Sequence, residues 1–186
     1  MQKLLPFALA ATLLTATPAE AKVGDLLPRP QQVTVTGGTA FSLGRSVRLN
    51  DPTECEYLHR VLTEAGCTLS NEATATVNVT LVSEIPGAFN HRVNDFPDEA
   101  YSLSVSAETI DIKALTPTGV IRAAQTLQQL AEGYEGTPQI EALTLTDWPA
   151  FKVRGFMHDV GRSFLSFDEL KKEIDLLARF KVNVFH

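Results

Sequence analysis

Val153-Arg154-Gly155-Phe156-Met157-His158-Asp159-Val160, then Ser166-Phe167-Asp168-Glu169, then Val182-Asn183-Val184-Phe185-His186 are the segments on which the fold turns. The first and last are rich in β-branched and aromatic residues and have the length of strands. Between them, Ser166 with Glu169 three positions on is a helix capping box. Leu170, Ile174 and Leu177 follow at helical spacing, which predicts a helix over 167–180 with those residues on its buried face. Strand, helix and strand joined by short connections form a βαβ unit, the repeating piece of parallel sheets and barrels. These last 36 residues, 151–186, are far too few for a (β/α)8 barrel, which needs about 250 residues. The expectation is the first βαβ unit of a truncated (β/α)8 barrel, with an uncovered helix face and an open strand edge.

Upstream, residues 26–149 change texture. Val33-Thr34-Val35-Thr36 and Ser46-Val47-Arg48-Leu49 alternate with period two on either side of Gly37-Gly38. Residues 56–65 carry Leu58, Val61, Leu62 and Ala65 on one helical face, and Gly66 ends that helix. Residues 76–82 alternate again. Tyr101-Ser102-Leu103-Ser104-Val105-Ser106 is a period-two strand, with Ile110-Asp111-Ile112-Lys113-Ala114 as its hairpin partner. Thr116-Pro117-Thr118-Gly119 opens a second helix that runs to about Glu132 and stops at Gly133. Paired strands with two helices predict an α+β domain, a sheet with both helices on one face, long enough to bury its own core. The expected division is 1–21 as a signal peptide, 22–150 as the α+β domain and 151–186 as the truncated barrel.

The export reading rests on Lys3, an apolar run over 4–14 too short to span a bilayer, and Ala19-Glu20-Ala21 as the cleavage site. No later segment is long enough to span a membrane, so the expected destination is periplasmic or extracellular. The remaining composition is that of an ordinary globular chain, 44% hydrophobic and 20% charged. A net charge of -6 supplies no basic field, so no nucleic-acid partner is expected. Export would permit a disulfide between Cys55 and Cys67, but a helix spans the gap between them. At about 1.5 Å per residue its ends lie roughly 18 Å apart, well beyond the ~7 Å a disulfide tolerates. Two buried free thiols are expected. His59 and His91 stand alone and read as surface residues, and the sequon Asn78-Val79-Thr80 falls within a strand.

Several of these runs carry a family resemblance. Glu99-Ala100-Tyr101-Ser102-Leu103, the hairpin, and Gly119 through Gln125-Thr126-Leu127-Gln128-Gln129-Leu130 resemble the accessory domain that precedes the barrel of family 20 glycoside hydrolases, the β-N-acetylhexosaminidases. Asp147-Trp148-Pro149-Ala150-Phe151, Arg154-Gly155-Phe156-Met157, Asp159-Val160-Gly161-Arg162 and Lys181-Val182-Asn183-Val184-Phe185-His186 are similar to that family's first barrel strand, first helix and second strand. The resemblance implies an exo-acting, retaining hydrolase of terminal N-acetylglucosamine or N-acetylgalactosamine. In such enzymes the sugar's own acetamido oxygen attacks the anomeric carbon, an exception to the two-carboxylate scheme. An adjacent Asp-Glu pair on a later barrel strand orients the acetamido group and protonates the leaving oxygen. That strand lies beyond these residues, so no catalytic residue is assigned and the chain alone is expected to be inactive. No cofactor is implied.

Position singles out Arg162. It falls just past the C-terminal end of the first barrel strand, the face where barrel enzymes build their sites, and its guanidinium offers a fork of donors suited to vicinal hydroxyls. The resemblance assigns the matching arginine to the terminal sugar's hydroxyls. Asp159 is expected to stand behind it, holding Arg162 through a charge-assisted hydrogen bond. Arg154, at the opposite end of the strand, reads as a structural ion-pair residue. Asp168-Glu169 imitates the catalytic pair but belongs to a helix cap. His158 and His186 provide at most two ligands, so no metal site is expected. Many family members carry an aliphatic residue at the position of His158 and a histidine at that of Ser163. His186 matches the first histidine of a histidine-aromatic-histidine motif. Two other readings are compatible with these residues. One is a non-catalytic carbohydrate-binding or interaction module, which would bind glycans through residues 22–150 alone. The other is a different exported glycosidase family with a similar accessory domain, distinguished by its later barrel strands.

Overall fold

The computed structural model describes residues 22–85, 97–132 and 138–186. The export segment, His91 and the helix stop at Gly133 lie outside the described residues. The body of the chain is a seven-stranded mixed sheet. Its strands are β1 (Gln32–Val35), β3 (Ser46–Asn50), β4 (Thr68–Leu69), β5 (Ala75–Leu81), β6 (Tyr101–Val105), β7 (Thr109–Ala114) and β9 (Leu143–Asp147). Their spatial order is β1-β9-β6-β7-β5-β3-β4. From β1 to β7 the neighbours are antiparallel, and from β7 to β4 they are parallel. The expected hairpin is present, pairing Tyr101 with Ala114 and Val105 with Ile110. A separate short ladder joins β2 (Phe41–Ser42) to β8 (Gln139–Ile140).

Period-two alternation gives this sheet one apolar face. Val47, Val77, Val79, Leu103, Val105, Ile110, Ile112, Leu143 and Leu145 point to the same side and are buried. Onto them pack α1 (Glu56–Glu64), through Leu58, Val61 and Leu62, and α2 (Pro117–Ala131), through Val120, Ala123, Ala124, Leu127 and Leu130. The other face is polar. Cross-strand register lines up Thr34, Thr144, Ser104, Asp111, Asn78 and Asn50 in one row. Along that row Asn50 donates to Asn78 at 2.7 Å, and Asn78 donates to Asp111 at 2.8 Å. The sequon asparagine is thus part of a side-chain ladder.

The helix termini follow local chemistry. Gly66, at φ +82°, ends α1 in the left-handed region. Thr116 accepts a hydrogen bond from the Gly119 amide at 3.4 Å to cap α2. Gly119 itself sits where a Cβ would fall 2.6 Å from the Ala100 carbonyl oxygen, so that turn of α2 can approach β6 only without a side chain. Cys55 and Cys67 are free thiols at opposite ends of α1, Cys67 buried as expected but Cys55 only half-buried.

The C-terminal segment forms the expected strand-helix-strand arrangement. β10 (Gly155–Phe156) pairs in parallel with β11 (Val184–Phe185), and α3 (Phe167–Arg179) connects them. Its capping box is complete, with the Ser166 hydroxyl facing the Glu169 amide and the Glu169 carboxylate accepting from Ser166. Two expectations need correction. The strand expected over 153–160 is a ladder of only two residues, because among the described residues β10 has a single hydrogen-bonded neighbour and Asp159 turns the chain soon afterwards. The helix face expected to be buried is covered only in part: Leu170 and Leu177 are half-buried, no residue of α3 is fully buried and Ile174 is 51% exposed, in line with the uncovered helix face also expected. The helix meets the rest of the structure mainly through its C-terminal end, beside α2.

Candidate functional site

Two groups of polar side chains mark the two ends of β10. At the C-terminal end, the Asp159 carboxylate organises a tight turn. Its Oδ1 accepts from the amides of Gly161 at 3.0 Å and Arg162 at 3.1 Å, and its Oδ2 accepts from Arg162 Nε at 2.5 Å. These bonds, the Arg162 side chain first, hold the Asp159 carboxyl below its ordinary range. Among the described residues, the two terminal nitrogens of Arg162 donate to no protein group, and the side chain is 89% exposed. The arrangement is a guanidinium oriented at its inner nitrogen with its outer fork left for a ligand. Because β10 is short, Arg162 stands on this turn rather than flush with a strand end.

His158 and His186 meet through the backbone, His158 N donating to His186 O at 2.8 Å. The His158 imidazole faces Glu173 of α3 at 3.0 Å. Asp168 and Glu169 sit in the first turn of α3, Asp168 beside Lys171 at 3.7 Å and Glu169 in the capping box. A second adjacent Asp-Glu pair, Asp98-Glu99, escaped the sequence reading. Glu99 accepts from Arg122 Nε at 2.6 Å and from Arg154. Its Oε2 is therefore committed to two guanidiniums that hold the fold together, not open to a ligand.

At the N-terminal end of β10 lies the second group, which joins the C-terminal segment to the sheet. Arg154 Nε donates to the Lys181 carbonyl at 2.8 Å, its Nη1 donates to the Phe151 carbonyl at 2.8 Å, and its Nη2 reaches Glu99. Arg154 is thus the structural ion-pair residue expected from its place on the strand. Lys181, just before β11, is buried and donates to Asp147 Oδ2 at 2.7 Å and to the Tyr101 hydroxyl at 2.9 Å. The Tyr101 hydroxyl also meets Thr126 at 2.6 Å. Burial, and then the Asp147 carboxylate, push the Tyr101 hydroxyl well above its ordinary value. Burial pulls Lys181 down despite the opposing attraction of Asp147. A cavity of about 200 Å³ opens beside this cluster, walled by Pro28, Trp148, Pro149 and Phe151. Lys181 and Asp147 were missed because their pairing spans 34 positions and leaves no local pattern.

Comparison with known proteins agrees with both parts of the chain. Residues 24–148 match the model for glycosyl hydrolase family 20, domain 2, and residues 151–186 match the model for the catalytic domain of the same family. A β-N-acetylhexosaminidase of Cellulomonas fimi is 35% identical over 183 residues, covering 97% of this chain and 30% of that protein. The solved structure of an exo-β-N-acetylglucosaminidase of Vibrio harveyi in complex with N-acetylglucosamine is similar at a TM-score of 0.69 and 27% identity. That match covers 91% of this chain and 26% of the other. The chitobiase of Flavobacterium johnsoniae matches at a TM-score of 0.61 and 28% identity, over 90% of this chain and 27% of its own. The chain therefore spans about a third or less of the length of these relatives. It belongs to glycosyl hydrolase family 20.

Proposed function

We propose that this chain is the N-terminal part of an exported β-N-acetylhexosaminidase that removes terminal N-acetylglucosamine or N-acetylgalactosamine by a substrate-assisted, retaining mechanism. In this reading residues 1–21 direct export, residues 22–150 are the accessory domain and residues 151–186 open the catalytic barrel. Arg162 binds the hydroxyls of the terminal sugar, and Asp159 holds its guanidinium in place. The acetamide-orienting Asp and the acid Glu belong to a later barrel strand, so the 186 residues alone do not hydrolyse glycosides.

The observation that carries the reading is the Asp159–Arg162 turn at the C-terminal end of a strand that is one of a parallel pair. Barrel enzymes gather their substrate groups at that end, and a guanidinium fixed through Nε keeps two coplanar donors free, which matches a vicinal diol. The match to the catalytic-domain model over 151–186 supports the same assignment. The N-acetylglucosamine held by the Vibrio relative supports the substrate class.

The DNA that follows the His186 codon tests it. The expectation is an aromatic-His continuation and, much later, an Asp-Glu pair, in a longer product that cleaves N-acetylglucosaminides. Arg162→Ala in that product is expected to lower kcat/KM by about a hundredfold, the cost of roughly 2–3 kcal/mol of charged hydrogen bonds to the sugar. An unrelated continuation, or a longer enzyme indifferent to Arg162→Ala, would overturn the assignment.

A further inference from the structure

The cluster at the N-terminal end of β10 touches no candidate sugar site, yet it is densely hydrogen-bonded. Its two cations from the C-terminal segment sit next to strand starts. Arg154 immediately precedes β10 and Lys181 lies three residues before β11. Each reaches a carboxylate on the sheet side, Arg154 to Glu99 and Lys181 to Asp147. They are also tied to each other through Arg154 Nε and the Lys181 carbonyl. Asn183 completes the tie, accepting from the Arg154 amide at 2.9 Å and donating to the Lys152 carbonyl at 2.8 Å.

Lys181 also occupies an unusual backbone position. At φ +59° it takes the left-handed place after α3 that glycine fills at least cost. Its amide donates to Ala178 O at 2.9 Å and the next amide donates to Leu177 O at 3.0 Å, which ends the helix. A non-glycine residue persists there when its surroundings over-determine it. Here the surroundings are Asp147 and Tyr101, which receive the ammonium of a side chain only 7% exposed. Desolvation offsets much of the attraction within a buried ion pair, so such a pair is a poor source of net stability. What a buried pair of this kind supplies is a single permitted placement of the segments that carry it.

We propose that Lys181 and Arg154 are positioning residues that register the starts of β10 and β11 on the preceding sheet, which makes that sheet a fixed mount for the barrel opening and not a detachable binding module. The sheet-side seats are Asp147, at the end of β9, and Glu99, just before β6, two neighbouring strands. One rigid edge thus sets both barrel strands at once. The inference does not depend on what the enzyme cleaves.

The test replaces the pair with apolar groups of similar size, Asp147→Leu with Lys181→Met, in the full chain. Tyr101 keeps Thr126 as a partner, so the double variant orphans no hydroxyl. Amide hydrogen exchange is read at His186 and His158, whose amides bond across β10 and β11. Emission of Trp148, the single tryptophan of the sequence, reads the junction. Exchange at those two amides is expected to rise at least tenfold, with a red shift of Trp148, while amides of β6 and β7 keep wild-type protection. Unchanged exchange at His158 and His186 would overturn the proposal. Loss of protection throughout β6 and β7 would also overturn it, because the pair would then be holding up the core instead of registering the junction.

Discussion

At the scale of single residues, charge separates two kinds of site at the two ends of the β10–β11 pair. Arg162 is exposed and held by one neighbour, whereas Lys181 is buried and held by two. The buried group makes a definite pH prediction. Its folded-state pKa lies below the unfolded value, so between those two values the unfolded chain binds more protons and stability rises with pH. Tyr101 acts in the opposite sense. Its pKa is raised in the folded state, so stability falls once pH passes the ordinary tyrosine value of about 10. Urea denaturation across this range is expected to show wild-type stability climbing toward pH ~10 and then falling. The Asp147→Leu, Lys181→Met variant should lack the climb and keep the fall. A climb that survives in the variant would remove Lys181 as its source. Lys181→Met alone should cost about 3–5 kcal/mol at neutral pH, because it leaves the Asp147 carboxylate buried without its cation. The Asp159–Arg162 contact and the ion pair of Arg154 were legible because the positions of these residues on either side of the expected strand core already suggest such contacts. Lys181 was not, since lysine is ordinarily exposed and nothing near it in the sequence hints at Asp147.

Elements were legible where their signals are local. The Ser166 capping box, the Thr116-Pro117 helix start, the Gly66 stop and the hairpin of β6 and β7 all follow from residues within a few positions of one another. Strand order did not. β1 and β3, separated in sequence only by Gly37-Gly38 and the short β2, lie near opposite edges of the sheet. β9 was missed altogether, although Leu143-Thr144-Leu145-Thr146 alternates cleanly and fills a place between β1 and β6. Such placements rest on pairings across tens of residues, which alternation alone cannot specify. Gly119 belongs to this scale too. Its added methyl would stand 2.6 Å from the Ala100 carbonyl oxygen and 3.0 Å from Ala114 Cβ. Gly119→Ala is therefore expected to destabilise the fold by about 1–3 kcal/mol, as overpacking does. Thermal melts followed by circular dichroism check this, and a melt unchanged from wild type would mean that α2 can retreat from β6 without cost.

Across the whole molecule, apolar surface is distributed unevenly. The sheet and its two helices enclose a continuous core, while the C-terminal segment exposes Phe151, Val153, Met157, Phe164 and Phe167. In a barrel such side chains are covered by later strands and helices. The reading of 151–186 as a barrel opening accounts for this surface, and the buried ion pairs account for how the opening is seated. The same reading places the reacting carboxylates outside these residues, and one assay tests that most directly. Purified 186-residue chain is incubated with a chromogenic N-acetyl-β-D-glucosaminide and release of the chromophore is followed. The account predicts release no faster than in buffer. Turnover that scales with the amount of chain and survives repeated purification would contradict it.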